Sequence, residues 1–453
     1  MISLQKRYTQ HYSSLFRIAL PIIIGQVATI FIGFVDNMMV GQHAIEELSA
    51  ASFVNNFLNL ILIFGLGFSY GLTPLVAEAD KLGQRDRIGL LLKISLWLNM
   101  GVGLFLSIIV LGLSPFLGLF NLEEELRPIA LPYYYLQTIS FLISMAFNAF
   151  KQFYDGMSRT QWPMYITLIG IMLNVLFNYL FIYGKWGFPE WGLFGAGVAT
   201  LLSRVLMLTI IAITLFMEKH WKDIRRTFGV FSWDKAISQS LVRLGLPIAL
   251  QLGLEATSFS LIIIFVAKLG TLSLAAHQVV MVVTLLGYLI YYGLGAAVAI
   301  RVSHFKAIKD YQSVREVVRA SSHIGLLMAL GAAILMFVIR HRVSVLFTSD
   351  TQVSDLVAIA LLPVIIYQFA DVLQVIYSNA LRGLGQVRQL APTAFLAHIV
   401  VAPSLSYWFT FHWSASYPNY QLCAVWSSFP ISLALMAWLL FRYYNKALHR
   451  LSY

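Results

Sequence analysis

Apolar runs of about 20 residues, the length that crosses a bilayer as a helix, recur from Leu15 to the C-terminal region with short polar connectors between them. Twelve can be placed, at 15–40, 50–74, 90–113, 129–152, 162–184, 193–217, 243–268, 274–300, 320–339, 356–381, 391–411 and 419–441. Gly and Pro at span edges, as in Gly112 to Pro115 and Gly184 to Pro189, supply the punctuation. The pattern predicts an all-α polytopic membrane protein of twelve transmembrane helices.

Positive charge sets the topology of such a chain. With the N-terminus in the cytoplasm, twenty-five of the 31 Lys and Arg residues, Lys151 and Arg382 among them, fall in cytoplasmic segments, five on the opposite side, and Arg204 inside a span. That asymmetry predicts an even span count with both termini cytoplasmic. Lys6, Arg7 and Arg17 precede an apolar run that continues to Val35 without a small-residue cleavage site, which reads as an uncleaved first span.

Of the 453 residues, 59% are hydrophobic and 11% are charged, against about a quarter charged in soluble domains. A conventional soluble fold is therefore excluded. The net charge of +11 is topological, and nucleic acid is not expected as a partner. A single cysteine, Cys423, permits no internal disulfide.

The stretch Ser14 to Ile22 returns as Ser240 to Ile248, with six of nine positions identical. Ala50-Ala51 against Ala275-Ala276, Gly65-Leu66-Gly67 against Gly293-Leu294-Gly295, and Gly156 against Gly383 follow in the same order. The spans thus divide six and six, into a lobe at 1–217 and a lobe at 243–453 joined by a basic cytoplasmic linker at 218–242. Six is even, so both halves enter from the same side and the repeat is parallel. Two-lobed transporters of this kind place substrate and ion sites between or within their halves.

Three carboxylates fall inside spans: Asp36, Glu255 and Asp371. A charge at the bilayer centre costs at least about 2.5 kcal/mol, so such residues mark ion or proton pathways by default. A helix–helix hydrogen bond or a snorkelling end is the structural alternative. Tyr367 precedes Asp371 by four residues, on one helical face, where a phenol can donate to the carboxylate or add an oxygen for sodium. Asn174 and Asn178 in the fifth span share that spacing, as cation ligands or as interhelical glue. Thr200 can add a hydroxyl or bond back to its own helix. Pro21 and Pro247, in the first span of each half, each free a backbone carbonyl and allow a bend. His277, His323 and His398 match no metal spacing.

In this ordered set the chain resembles the MATE family (multidrug and toxic compound extrusion), in its bacterial NorM-type branch. The resemblance rests on Asp36 to Gly41, Asn174 to Gly184 with Pro189 and Gly192, Gly195 to Thr200, Arg243 to Pro247 with Glu255, Ala275 to Gln278, and Asp371 with Arg382 to Gly385. It implies two six-helix lobes in a V-shaped structure that exports lipophilic organic cations by alternating access in exchange for sodium or protons. It implies a C-lobe cation site, with sodium as the candidate metal, at Glu255, Asp371 and Tyr367. An N-lobe site follows at Asp36 with Asn174, Asn178 and Thr200, and helix bending at Pro21 and Pro247. No cofactor is implied beyond the coupling ion. The partners are lipophilic cations and membrane lipids, the setting is a bacterial inner membrane, and the chain acts as a monomer.

Carboxylates in a partly desolvated cavity attract a lipophilic cation and also bind coupling ions, and competition between the two is antiport. The alternative is a flippase for a lipid-linked saccharide, whose polyanionic cargo requires a cavity rich in Arg and Lys. Three intramembrane carboxylates against Arg204 favour the cation. No catalytic motif of a membrane enzyme is present.

Overall fold

The computed structural model describes residues 2–120, 122–218, 221–229, 233–347 and 350–452. Among them, twelve helical segments are long and apolar enough to cross a membrane. In chain order the helices are α1 (Ile2–His43), α2 (Ile45–Ser69), α3 (Leu72–Lys81), α4 (Arg85–Leu113), α5 (Arg127–Gly156), α6 (Gln161–Ile182), α7 (Gly192–Met217) and α8 (Lys222–Gly229). They continue with α9 (Lys235–Ala267), α10 (Thr271–Ala307), α11 (Tyr311–Ile339), α12 (Thr351–Leu384), α13 (Leu390–Ala394), α14 (Ala402–Trp408), α15 (Pro418–Trp426) and α16 (Ser428–Ser452).

The twelve predicted spans fall on these helices, the second divided between α2 and α3, the twelfth between α15 and α16, and the eleventh between α13 and α14 through π-helical turns at 395–401 and 409–413. Many helices outrun the apolar stretch that predicts them: α5 continues to Gly156, α10 to Ala307 and α12 to Leu384. Local chemistry sets several ends. Asp350 caps α12 by accepting from the backbone N–H groups of Gln352 and Val353. Gly385, at φ 74°, closes the same helix with Gly385 N–H on Arg382 O and Gln386 N–H on Leu381 O. α1 and α9 run on through Pro21 and Pro247 without interruption.

The chain forms two compact units, residues 24–249 and residues 1–23 with 250–453. Each boundary falls inside a helix two residues beyond its proline. In the unit 24–249, α4, α5 and α7 bury Phe150, Phe153, Met207 and Ile211, and Trp221 from the connector joins them. Ile224 on α8 is also buried there, so the basic segment is docked where it is described. Of the predicted linker 218–242, residues 219–220 and 230–232 lie outside the described residues. In the other unit, Val280, Leu361, Val364, Trp426 and Phe429 centre the core. Large apolar side chains such as Phe105, Met172 and Leu327 face outward, as a surface bathed in lipid tails requires.

Candidate functional site

A cavity of about 450 Å³ opens within the unit 24–249, lined by α1, α2, α5, α6 and α7. Asp36 on α1 meets α6 there: Asn178 Nδ2 donates to Asp36 Oδ1 at 2.5 Å, and to Asn174 Oδ1 at 3.4 Å. The two amides are one turn apart and both are buried, so a single carboxylate partner serves the face that the spacing predicted. Asn174 and Thr200 also come within hydrogen-bonding reach of the carboxylate. The Thr200 hydroxyl donates to Ala196 O of its own helix at 2.9 Å, which leaves its oxygen lone pairs for the site.

Two cations share the cavity wall. Arg204, one turn after Thr200, donates to Ser140 Oγ at 2.5 Å and forms no ion pair with Asp36, although it acts on it electrostatically. Lys151 lies at the far end of the cavity on α5. The count of interior charges made from sequence is therefore corrected: Lys151, placed in a cytoplasmic segment, faces the same cavity as Asp36 and Arg204.

The unit containing 250–453 holds a second polar cluster. Tyr367 and Asp371 are one turn apart on α12 and both are buried. Gln374 Nε2 donates to Asp371 Oδ1 at 3.1 Å. Half-buried Glu255 on α9 lies within electrostatic range of Asp371 and of Arg382. α10 approaches α12 through glycines: a Cβ at Gly287 would stand 2.8 Å from Gln368 Oε1, and one at Gly295 2.5 Å from Asn379 Nδ2. That space lets Tyr291 donate to Gln368 Oε1 at 2.8 Å. Two carboxylates this close carry two negative charges unless a proton, a sodium ion or an organic cation joins them. Among the described residues no three His, Cys, Asp or Glu side chains converge as a metal site, so sodium here would rely on neutral oxygens beside the carboxylates.

The MatE family model matches residues 21–180 and 247–408, most of the chain and both halves of the repeat. The chain belongs to the MatE family. Its members are ion-coupled antiporters rather than enzymes. The multidrug resistance protein MdtK of Edwardsiella ictaluri (strain 93-146) is 29% identical over 394 residues, covering 87% of this chain and 86% of that protein. The crystal structure of MATE in the bent conformation superposes with a TM-score of 0.88 at 19% identity, over 100% of this chain and 98% of its own. A MOP superfamily transporter from Pyrococcus furiosus Vc1 (DSM3638), reported with a binding pocket of reversed polarity that suggests a different function, matches with a TM-score of 0.84 at 18% identity, over 98% and 97% of the two chains.

Sequence reasoning about this MatE protein passed over several interior charges. Arg382, counted as cytoplasmic, is buried in α12 and donates to Gln251 Oε1 at 3.1 Å and Asn379 Oδ1 at 3.3 Å. Asp155 is buried near the end of α5. His11 Nε2 pairs with Glu316 Oε2 at 3.3 Å, with both residues buried. Asp155 and Arg382 lie just past an apolar run and His11 and Glu316 just before one, where a hydropathy window ends and the helix does not. Of the histidines, His277 and His398 are fully buried with no hydrogen bond at either ring nitrogen, while His323 accepts or donates through Nδ1 to Tyr12 at 3.1 Å.

Proposed function

We propose that this chain exports lipophilic organic cations across a bacterial inner membrane in antiport with protons or sodium. The observation that carries the reading is the placement of Asp36, Glu255 and Asp371 on membrane-spanning helices of a MatE protein, with the side-chain amides of Asn178 and Gln374 donating to Asp36 and Asp371 and none of the three in an ion pair. Glu255, Asp371 and Tyr367 form the C-lobe coupling site, with sodium as its metal candidate. Asp36, Asn174, Asn178 and Thr200 form the N-lobe site. The lobes are 1–217 and 243–453, the linker is 218–242, both termini face the cytoplasm, and a monomer suffices.

The chemistry follows from competition. An organic cation and a coupling ion both neutralise the same carboxylates, so strong binding of one expels the other. Pro21 and Pro247 let α1 and α9 change bend as the charge state changes. Exchange of one proton for one monovalent cation moves no net charge, and the pH gradient alone then drives export.

A second reading is supported by Arg204 and Lys151, which give the 24–249 cavity two cations against one carboxylate. A flippase for a lipid-linked saccharide would use them on its pyrophosphate. One assay separates the readings. Purified protein in liposomes is supplied with ethidium under a pH gradient or a sodium gradient, wild type beside Asp36→Asn, Glu255→Gln and Asp371→Asn. Gradient-driven ethidium movement, lost in a folded carboxylate variant, supports antiport and names the ion. No movement under either gradient, with transfer of a labelled lipid-linked sugar between leaflets, supports the flippase and ends the export reading.

A further inference from the structure

One buried carboxylate has no part in either proposed site. Asp155 on α5 is 5% exposed, and its Oδ1 has no hydrogen-bond partner. A buried acceptor left unpaired is costly, about 1–3 kcal/mol or more for a charged group, so its retention asks for a use. The charge that acts on it is Lys151, one turn earlier on the same helix, and Lys151 lines the cavity that contains Asp36. The charges on neighbouring elements are otherwise committed. Asp80 on α3 pairs with Arg85 at 3.1 Å, and Arg159 pairs with Glu218. Glu78 on α3 and Lys93 on α4 both have partners. Gln152, between Lys151 and Asp155, gives its Oε1 to the Thr73 hydroxyl at 2.7 Å.

The cavity runs from Asp36 to Lys151, one helical turn short of Asp155 on the same face of α5. Along α5 the polar side chains in its wall include Tyr133, Gln137, Ser144, Asn148 and Lys151. These fall at intervals of three, four and seven residues on one helical face, and Phe141 fills the gap between Gln137 and Ser144. Tyr133 acts electrostatically on Arg204 and lies within range of Asp36. From Tyr133 to Lys151 the helix rises about 27 Å, nearly the thickness of a bilayer's hydrocarbon core at about 30 Å.

We propose that Asp155, charged against Lys151, is a second proton station, fed from Asp36 along this face. The inference rests on the export reading with protons as the coupling ion. A proton leaves the Asp36 carboxyl group for cavity water. It shifts from water to water past Gln137, Ser144 and Asn148 to the cavity's end at Lys151, and crosses the last helical turn to Asp155 Oδ1. Asp36 is left as a carboxylate, ready for an organic cation, and Asp155 becomes a neutral acid. Lys151 keeps its own protons throughout and stabilises the Asp155 carboxylate that reforms when the proton departs. Asp155 is thus a relay residue that need not touch the drug.

The test uses the full chain in liposomes with ethidium as the probe. Asp155→Asn should bind ethidium with a Kd within about two-fold of wild type and exchange it across the membrane without a gradient at a similar rate. Its pH-gradient-driven uptake should fall about a hundred-fold or more, the lower end of what a positioned proton acceptor contributes, and Asp155→Glu should restore it. Asn148→Leu, which blocks this face and leaves both carboxylates in place, should give the same split and decides the matter if Asp155→Asn does not fold. Driven uptake within about two-fold of wild type in the folded variants overturns the proposal. Parallel loss of binding, exchange and driven uptake, the signature of a structural role, also overturns it. Sodium-driven transport that ignores the pH gradient overturns it while leaving export standing. If wild type moves no ethidium at all, the export reading fails instead. Infrared difference spectra over a pH step then decide the station: a carboxylic C=O band present in wild type and absent in Asp155→Asn retains it, and identical spectra remove it.

Discussion

Gly67→Ala tests how closely α2 and α9 cross. A Cβ at Gly67 would stand 2.7 Å from Ala249 Cα, 3.2 Å from Ala249 N and 3.3 Å from Ile248 O. All three are backbone atoms, so no rotamer change relieves the contact. Ordinary carbon contacts lie at about 3.5–4.0 Å, so the helices must part by about 1 Å. Overpacking of this kind costs about 1–3 kcal/mol, and close approach through small residues is a main source of helix association in lipid. Gly101→Ala on α4 is the internal control, because a Cβ there meets nothing within 4 Å. Both substitutions share the same gain in helix propensity, at most about 1 kcal/mol, and it cancels in their difference. Unfolding of the purified protein by sodium dodecyl sulfate, followed by tryptophan fluorescence, should therefore place Gly67→Ala about 1–3 kcal/mol below Gly101→Ala. Equal stability of the two variants would refute the crossing.

Four further outcomes are expected. Asn178→Leu removes the direct donor to Asp36, a bond worth about 1.5–3 kcal/mol to the folded state, so the melting temperature should fall accordingly, and gradient-driven export by the protein that remains folded should fall as well. Trp221→Ala empties a site where the indole is 1% exposed and packs on Phe153 and Tyr154 with ring centroids 5.3 and 5.0 Å away, and should cost about 3–5 kcal/mol in thermal melting. Arg382→Met strands the Gln251 and Asn379 oxygens and should destabilise by about 1–3 kcal/mol, with Arg382→Lys recovering part of the loss in the same melt. His277→Leu replaces a ring with no hydrogen bonds by an apolar group, and should melt at or above the wild-type temperature with transport unchanged, since removing unmet polar groups is neutral or favourable.

The spans were legible because hydrocarbon thickness imposes one length on every apolar run, and the spacing of Asn174 with Asn178 and of Tyr367 with Asp371 already placed each pair on one face. What stayed hidden lies where the helices outlast the apolar run. Asp155 and Arg382 resemble loop residues to any hydropathy window, yet α5 and α12 carry them on as helix and neighbouring elements bury them. Lys151, at the end of the span 129–152, was assigned to the cytoplasm by its charge, and its direction into the cavity depends on which face α5 turns inward. The π-helical turns at 395–401 and 409–413 leave no comparable periodic mark.

The length of the cavity along α5 also has an electrical consequence. A hollow extending about 27 Å beside one helix, with Gln137, Ser144, Asn148 and Lys151 along it, admits water, which polarises far more readily than lipid or packed protein. The membrane voltage then falls mainly across whatever dry layer remains, and not evenly over the full thickness. An elementary charge crossing that layer gains nearly the whole of the 2.3 kcal/mol available per 100 mV, while a charge moving along the wet length gains almost none. The steepest voltage dependence therefore belongs to steps in the dry layer, and recordings of transient charge movement would reveal where it lies.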